Sequence, residues 1–236
     1  MSQHEFQPFE DLMNRIRTQS VSRWSDVQDD FIRVVEAFDA EYRTGRYASG
    51  WYQSKARYFN DIVVALLSNA SGREIAVRAK KDSQLFEKID VDICYPGTGV
   101  PKIAGEVKAL GTPPHAGNND VARGGSSDLH KRLREVAFTS TDLKVAYSGP
   151  QPIQSFQNWI DSTDPGYFSF FAIRARDEAD LGRVRSMLSS LRSYCNGVAA
   201  VLYLPRSAQS PTTYEVRRIP ELDMDRTLRE MAQRIA

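Results

Sequence analysis

The stretch KIDVDICYPGTGVPKIAGEVKAL, residues 88–110, decides how the chain is read. Its first part alternates Ile89, Val91 and Ile93 with Asp90, Asp92 and Cys94, the two-residue period of a strand with one buried face. PGTGVP (96–101) is a turn. KIAGEVKAL (102–110) is then an apolar strand interrupted by Glu106 and Lys108. Residues i and i+2 share a face of a strand. Asp90 and Asp92 are therefore expected to point the same way, opposite Ile89, Val91 and Ile93. Glu106 and Lys108 are expected to share a face opposite Val107. Pairing the strands through the turn brings two or three carboxylates and one ammonium to one side of a hairpin. Clustered carboxylates repel unless a cation lies among them, and Mg²⁺ prefers hard oxygen ligands. A neighbouring ammonium can hold or activate a water, or offset charge developing on a phosphate. This is the donor pattern of metal-assisted phosphodiester hydrolysis. The plain alternative is a surface hairpin whose Glu106–Lys108 ion pair contributes little.

Upstream, residues 8–19 and 22–44 read as two helices, the second from Trp24, Val27, Phe31, Val34, Val35 and Phe38 at helical spacing. TGRYASG, with Gly45 and Gly50, breaks the pattern. A third helix carries Trp51, Lys55, Tyr58, Phe59, Ile62, Val63, Leu66 and Leu67, and Gly72 is its expected stop. REIAVRAKK (73–81) alternates as a strand. Downstream, GTPPHAGNNDVARGGSS (111–127) is a long polar loop of the kind that is functional or disordered. A helix is expected from about Ser127 or Asp128. After an irregular stretch come strand YFSFFAIRA, helix EADLGRVRSMLSSLRSYC, strands GVAAVLYLP and TYEVRRI, and the amphipathic helix ELDMDRTLREMAQRI. This order predicts an α/β or α+β domain with a mixed sheet flanked by helices.

Asp92, thirteen intervening residues and then Glu106-Val107-Lys108 resembles the PD-(D/E)XK nuclease motif. The element order from Trp51 onward is similar to that superfamily's core of helix, three strands paired antiparallel, helix and fourth strand. The likeness covers about residues 50–145. Val91 stands where the motif name has Pro. The resemblance implies a restriction-endonuclease-like core in which Asp92 and Glu106 bind Mg²⁺, with Mn²⁺ able to substitute. It also implies that Lys108 positions or deprotonates the attacking water, so that in-line displacement leaves a 5′-phosphate and a 3′-hydroxyl. Asp92 is preferred as the ligand because the apolar Ile93-Cys94 continues its strand. Asp90 either shares the role or caps the site from its edge.

Other residues join this reading with milder alternatives beside them. Asp61, next to Asn60 on the helix before the strands, is an accessory carboxylate that reaches the metal through water, or else is simply solvated. Arg78 and Lys80 share a face of the first strand and suit phosphate contacts, which position a duplex without reading it. His115, Asn118, Asn119 and Arg123 in the long loop suit base edges, and Lys131 and Arg132 add phosphate contacts. The alternative is a solvent loop whose Gly and Asn serve turns. Trp51, Tyr58, Phe59, Trp159 and the YFSFF run are assigned to the core.

Lys plus Arg total 31 against 30 Asp plus Glu, so the chain lacks the global positive charge of a polycation binder. Beyond Lys144 every basic residue is Arg, whose fork suits phosphate and base edges. Cys94 and Cys195 form no CxxC pair and read as reduced thiols of a cytoplasmic protein. No apolar run approaches the ~20 residues of a membrane span, the N-terminus lacks a secretory signal, and no Walker motif is present. The expectation is one nuclease domain over 1–236: a helical extension (1–49), a catalytic core (50–145) and a remainder completing the sheet (146–236). Its size and loops resemble a type II restriction endonuclease. That implies double-stranded DNA as substrate, a homodimer acting on a palindrome, and a cognate DNA methyltransferase as partner. The competing expectations are a structure-specific nuclease of repair, recombination or phage defence, and a non-catalytic DNA-binding module.

Overall fold

The computed structural model describes residues 6–44, 53–115, 121–149 and 155–236. Trp51, Asn118 and Asn119 lie outside them.

A six-stranded mixed sheet runs through the molecule in chain order: β1 (Ala76–Asp82), β2 (Lys88–Tyr95), β3 (Ile103–Leu110), β4 (Gly166–Arg174), β5 (Gly197–Pro205) and β6 (Tyr214–Arg217). β1, β2 and β3 pair antiparallel, β3, β4 and β5 parallel, and β6 returns antiparallel to β5. The parallel links need crossovers. Helices α4 (Ser126–Ser148) and α5 (Phe156–Ser162) supply the first, and α6 (Glu178–Leu191) the second.

β4 shows why the sheet is central. All nine residues of GYFSFFAIR are buried, as expected of a strand covered on both faces. Phe168, Phe170 and Ala172 join a core with α1 (Gln7–Thr18), α2 (Gln28–Arg43), α3 (Gln53–Ser71) and α7 (Met224–Ile235). Tyr167, Phe171 and Ile173 face the other core, filled by Leu129, Val136 and Leu143 of α4 and Leu181, Val184 and Leu188 of α6. Among the described residues, no helix is long and apolar enough to cross a membrane.

Three boundaries differ from the sequence reading. The helix expected over 22–44 is a 3-10 turn at Trp24–Asp26 followed by α2. The C-terminal helix is likewise divided: Pro220–Leu222 form a 3-10 turn, and the Asp223 side chain caps α7 by accepting from Arg226 N at 2.6 Å. The irregular stretch before β4 contains α5, capped by Ser155.

The larger correction concerns β1 and β2. Their register pairs Val77 with Ile93 and then Ala79 with Val91, leaving Arg78 and Asp92 out of the ladder. Arg78 has φ 51, a left-handed backbone that breaks the strand's pleat. Alternation resets there. Ile89, Val91 and Cys94 join the α4/α6 core, whereas Ile93 joins the α1/α2/α3/α7 core. The expected single face of Ile89, Val91 and Ile93, with Asp90 and Asp92 together opposite, does not form.

Candidate active site

β2 and β3 pair over only three positions, Ile93–Gly105, Cys94–Ala104 and Tyr95–Ile103. Beyond them the hairpin opens, and there the Asp92 carboxylate bridges the strands. Its Oδ2 accepts from Val107 N at 2.9 Å and from Lys108 Nζ at 3.0 Å. β3 meanwhile stays paired with β4 along its whole length, so Glu106 and Lys108 project from a rigid strand. They share a face as expected, and Lys108 Nζ lies 2.7 Å from Glu106 Oε2. One ammonium therefore joins both carboxylates.

Glu106 is only 6% exposed, which excludes the reading of an exposed surface ion pair. Its second oxygen is also engaged, because the fully buried Tyr167 hydroxyl donates to Oε1 at 3.0 Å. Burial works against the charged form of Lys108, but Glu106 and Asp92 outweigh it and hold the lysine pKa above its usual value. Burial, and then the Glu106 charge, push the Tyr167 phenol well above the ordinary tyrosine range. The site thus sets an ammonium and a hydroxyl donor on the two oxygens of one buried carboxylate.

Asp92 and Lys108 line an open cleft of about 440 Å³, and Glu106 and Tyr167 are buried outside it. Gln53, Ala56, Arg57 and Asn60 of α3 form one wall, at the i, i+3, i+4, i+7 spacing of a single helix face. Asn60 is 5% exposed and its Oδ1 has no hydrogen-bond partner among the described residues. Asp61, one residue on, is turned by about 100° of helix and does not line the cleft. Burial pushes its carboxyl pKa up against the pull of Arg78 and Arg57.

The basic candidates divide in the same way. Arg78, Arg123 and Arg132 line the cleft, whereas Lys80 and Lys131 are exposed outside it. Asp90 is exposed opposite Lys80 and does not reach the Asp92–Glu106 pair. Arg123 is anchored by a two-way backbone bridge to Thr112, at 2.9 and 3.1 Å, that pins the two arms of the long loop together. The loop leaves β3 at Gly111, whose φ of 82 and approach to the Arg174 carbonyl leave no room for a side chain. His115 lies in an adjoining hollow that shares Thr112 and Arg123 with the cleft, and its Nε2 is 2.9 Å from the Tyr42 hydroxyl. Cys94 and Cys195 are buried and free, and burial pushes the Cys195 thiol up to about 12.

Sequence reasoning missed Tyr167, Arg57 and Gln53, and it chose Asp61 over Asn60. Tyr167 had one legible signal, a polar tip on a largely apolar central strand, which must find a partner when buried.

Among the described residues no third His, Cys, Asp or Glu joins the acidic pair. Two carboxylates that already converge on one cationic group suit Mg²⁺, which commonly takes one or two carboxylates and keeps several waters. Five cations line the cleft (Arg57, Arg78, Lys108, Arg123 and Arg132) against two lining carboxylates, Asp92 and Asp128. Lys108, Arg123 and Arg132 are already ion-paired with Asp92 and Glu106, with Asp128 and with Glu135, so Arg57 and Arg78 are the lining cations with no ion pair among the described residues. In comparisons with protein-family models, with curated proteins and with solved structures, nothing matches the chain.

Proposed function

We propose that the protein is a Mg²⁺-dependent endonuclease that hydrolyses phosphodiester bonds of double-stranded DNA, built on a restriction-endonuclease-like core and acting as a type II restriction enzyme. The observation that carries this reading is the convergence of Asp92, Glu106 and Lys108 where β2 and β3 part, with Asp92 and Lys108 lining an arginine-rich cleft and Glu106 buried beside them. Asp92 and Glu106 would hold Mg²⁺, with Mn²⁺ as substitute, and the ion would supply positive charge to the phosphate and acidify a bound water. Lys108 orients the attacking water and offsets charge developing on the phosphate. Arg57 and Arg78, which form no ion pair among the described residues, contact the flanking phosphates. Arg123 and the loop bearing His115 approach the bases. A homodimer on a palindromic site, a cytoplasmic location and a companion DNA methyltransferase belong to the same proposal.

Purified protein is incubated with a large mixed-sequence DNA in Mg²⁺ or EDTA, beside Lys108→Ala. Discrete fragments in Mg²⁺ only, absent for the variant, are expected. A smear discards sequence specificity but keeps the nuclease. Intact DNA in every lane, with branched and single-stranded substrates included, refutes hydrolysis and leaves a binding module.

A further inference from the structure

The carboxylate pair is asymmetric. Asp92 uses only Oδ2, for Val107 N and Lys108 Nζ, and its Oδ1 accepts no hydrogen bond among the described residues. Both oxygens of Glu106 are engaged: Oε1 by the Tyr167 hydroxyl at 3.0 Å, and Oε2 by Lys108 Nζ at 2.7 Å. Tyr167 is fully buried on β4. Releasing Oε1 would strand a buried hydroxyl without a partner, which is costly. Lys108 is 21% exposed on a flexible stem, so of the two partners of Glu106 it is the one able to withdraw into the cleft.

We infer that Lys108 and a divalent cation exchange places on Glu106. A cation approaches through Asp92 Oδ1, and it gains Glu106 only when the ammonium gives up Oε2. Tyr167 keeps Oε1 throughout and fixes the plane of the carboxylate. Loading the cation is thereby coupled to release of the lysine into the cleft, where an incoming phosphate and water would meet it. Without that exchange Lys108 stays committed to the two carboxylates. The site arms its own lysine, and only when a cation is bound. This inference rests on the cation-site reading above and adds a competition that the reading does not require.

The test uses the full chain without DNA. Mg²⁺ binding is measured by calorimetry for the native protein and for Lys108→Met, and the lysine side-chain signals are followed by NMR in lysine-labelled protein. The chain has eight lysines, so the Lys108 signal is assigned by its absence from the variant. The expected result is that Mg²⁺ shifts the Lys108 ammonium signal from an ion-paired, slowly exchanging form to a solvent-exchanging one. Lys108→Met should bind Mg²⁺ about ten-fold more tightly, equivalent to about 1.4 kcal/mol. If Mg²⁺ binds and the Lys108 signal keeps its ion-paired form, the exchange is wrong while the cation site stands. If neither protein binds Mg²⁺, and both give native melting curves, the cation site and the exchange fall together.

Discussion

Tyr167→Phe tests the buried carboxylate most directly. The substitution removes one oxygen atom from a fully buried side chain and leaves the ring in place. What is lost is the 3.0 Å hydrogen bond to Glu106 Oε1. A hydrogen bond to a charged group contributes about 1.5–3 kcal/mol, and the acceptor left behind is buried with no replacement. The expected destabilisation is therefore about 2 kcal/mol, or about 4–8 °C in Tm for a chain of this size. The assay is urea unfolding at pH 7 with linear extrapolation, run as a double-mutant cycle with Glu106→Gln. In the Gln background the acceptor is neutral, so the same substitution should cost only about 0.5–1.5 kcal/mol. A coupling of about 1 kcal/mol between the two sites is expected. A Tyr167→Phe protein within about 0.5 kcal/mol of native would refute the reasoning, and so would equal costs in the two backgrounds.

Behind the cleft, Lys55 and Asp39 form a buried ion pair at 2.9 Å that also receives the Tyr214 hydroxyl at 2.6 Å. Lys55→Met strands a buried carboxylate and should destabilise by about 3–5 kcal/mol in denaturant unfolding; a loss below about 1 kcal/mol would show that the pair does not hold the core. Lys144 donates to Thr163 O, Pro165 O and Asn196 Oδ1 at 2.6, 2.8 and 3.0 Å, yet burial lowers its pKa to about 8. Its folded pKa lies below the unfolded one, so the unfolded chain binds more protons in between. Lys144 should accordingly contribute a rise in stability from about pH 8 to about pH 10, superposed on an opposing fall from Cys94 and Cys195, whose buried thiols are raised and ionise first in the unfolded chain. Lys144→Met should flatten that rise, and an unchanged pH slope in the variant contradicts the assignment. Arg57→Ala should weaken DNA binding about equally across sequences and reduce the salt slope by about one, measured by fluorescence anisotropy over a salt series; an unchanged slope removes Arg57 from the phosphate path.

The sequence by itself determined the order of the strands and long helices, the mixed α/β class and the pairing of Glu106 with Lys108 on one strand face, but not α5. These depend on local periodicity: residues i and i+2 must share a face of any regular strand, and β3 is regular along its length. Asp92 is preferred over Asp90 on the resemblance, because an apolar Ile93-Cys94 continuation follows it. Only the tertiary structure decided how those residues combine. Asp90 and Asp92 separate because the alternation of β2 resets at Asp92, opposite the left-handed Arg78 where the ladder is interrupted, an event that period-two reasoning cannot contain. Asn60 replaces Asp61 at the cleft because the roll of α3 is set by its packing on the sheet, and a single residue turns it by about 100°. Tyr167 is 61 positions from Glu106 in the chain, and their hydrogen bond exists only because β3 and β4 run side by side. Periodicity fixes which face a residue takes within its own element. Contacts between elements far apart in the chain depend on register, and register is set by the packing of the whole sheet against its two helical layers.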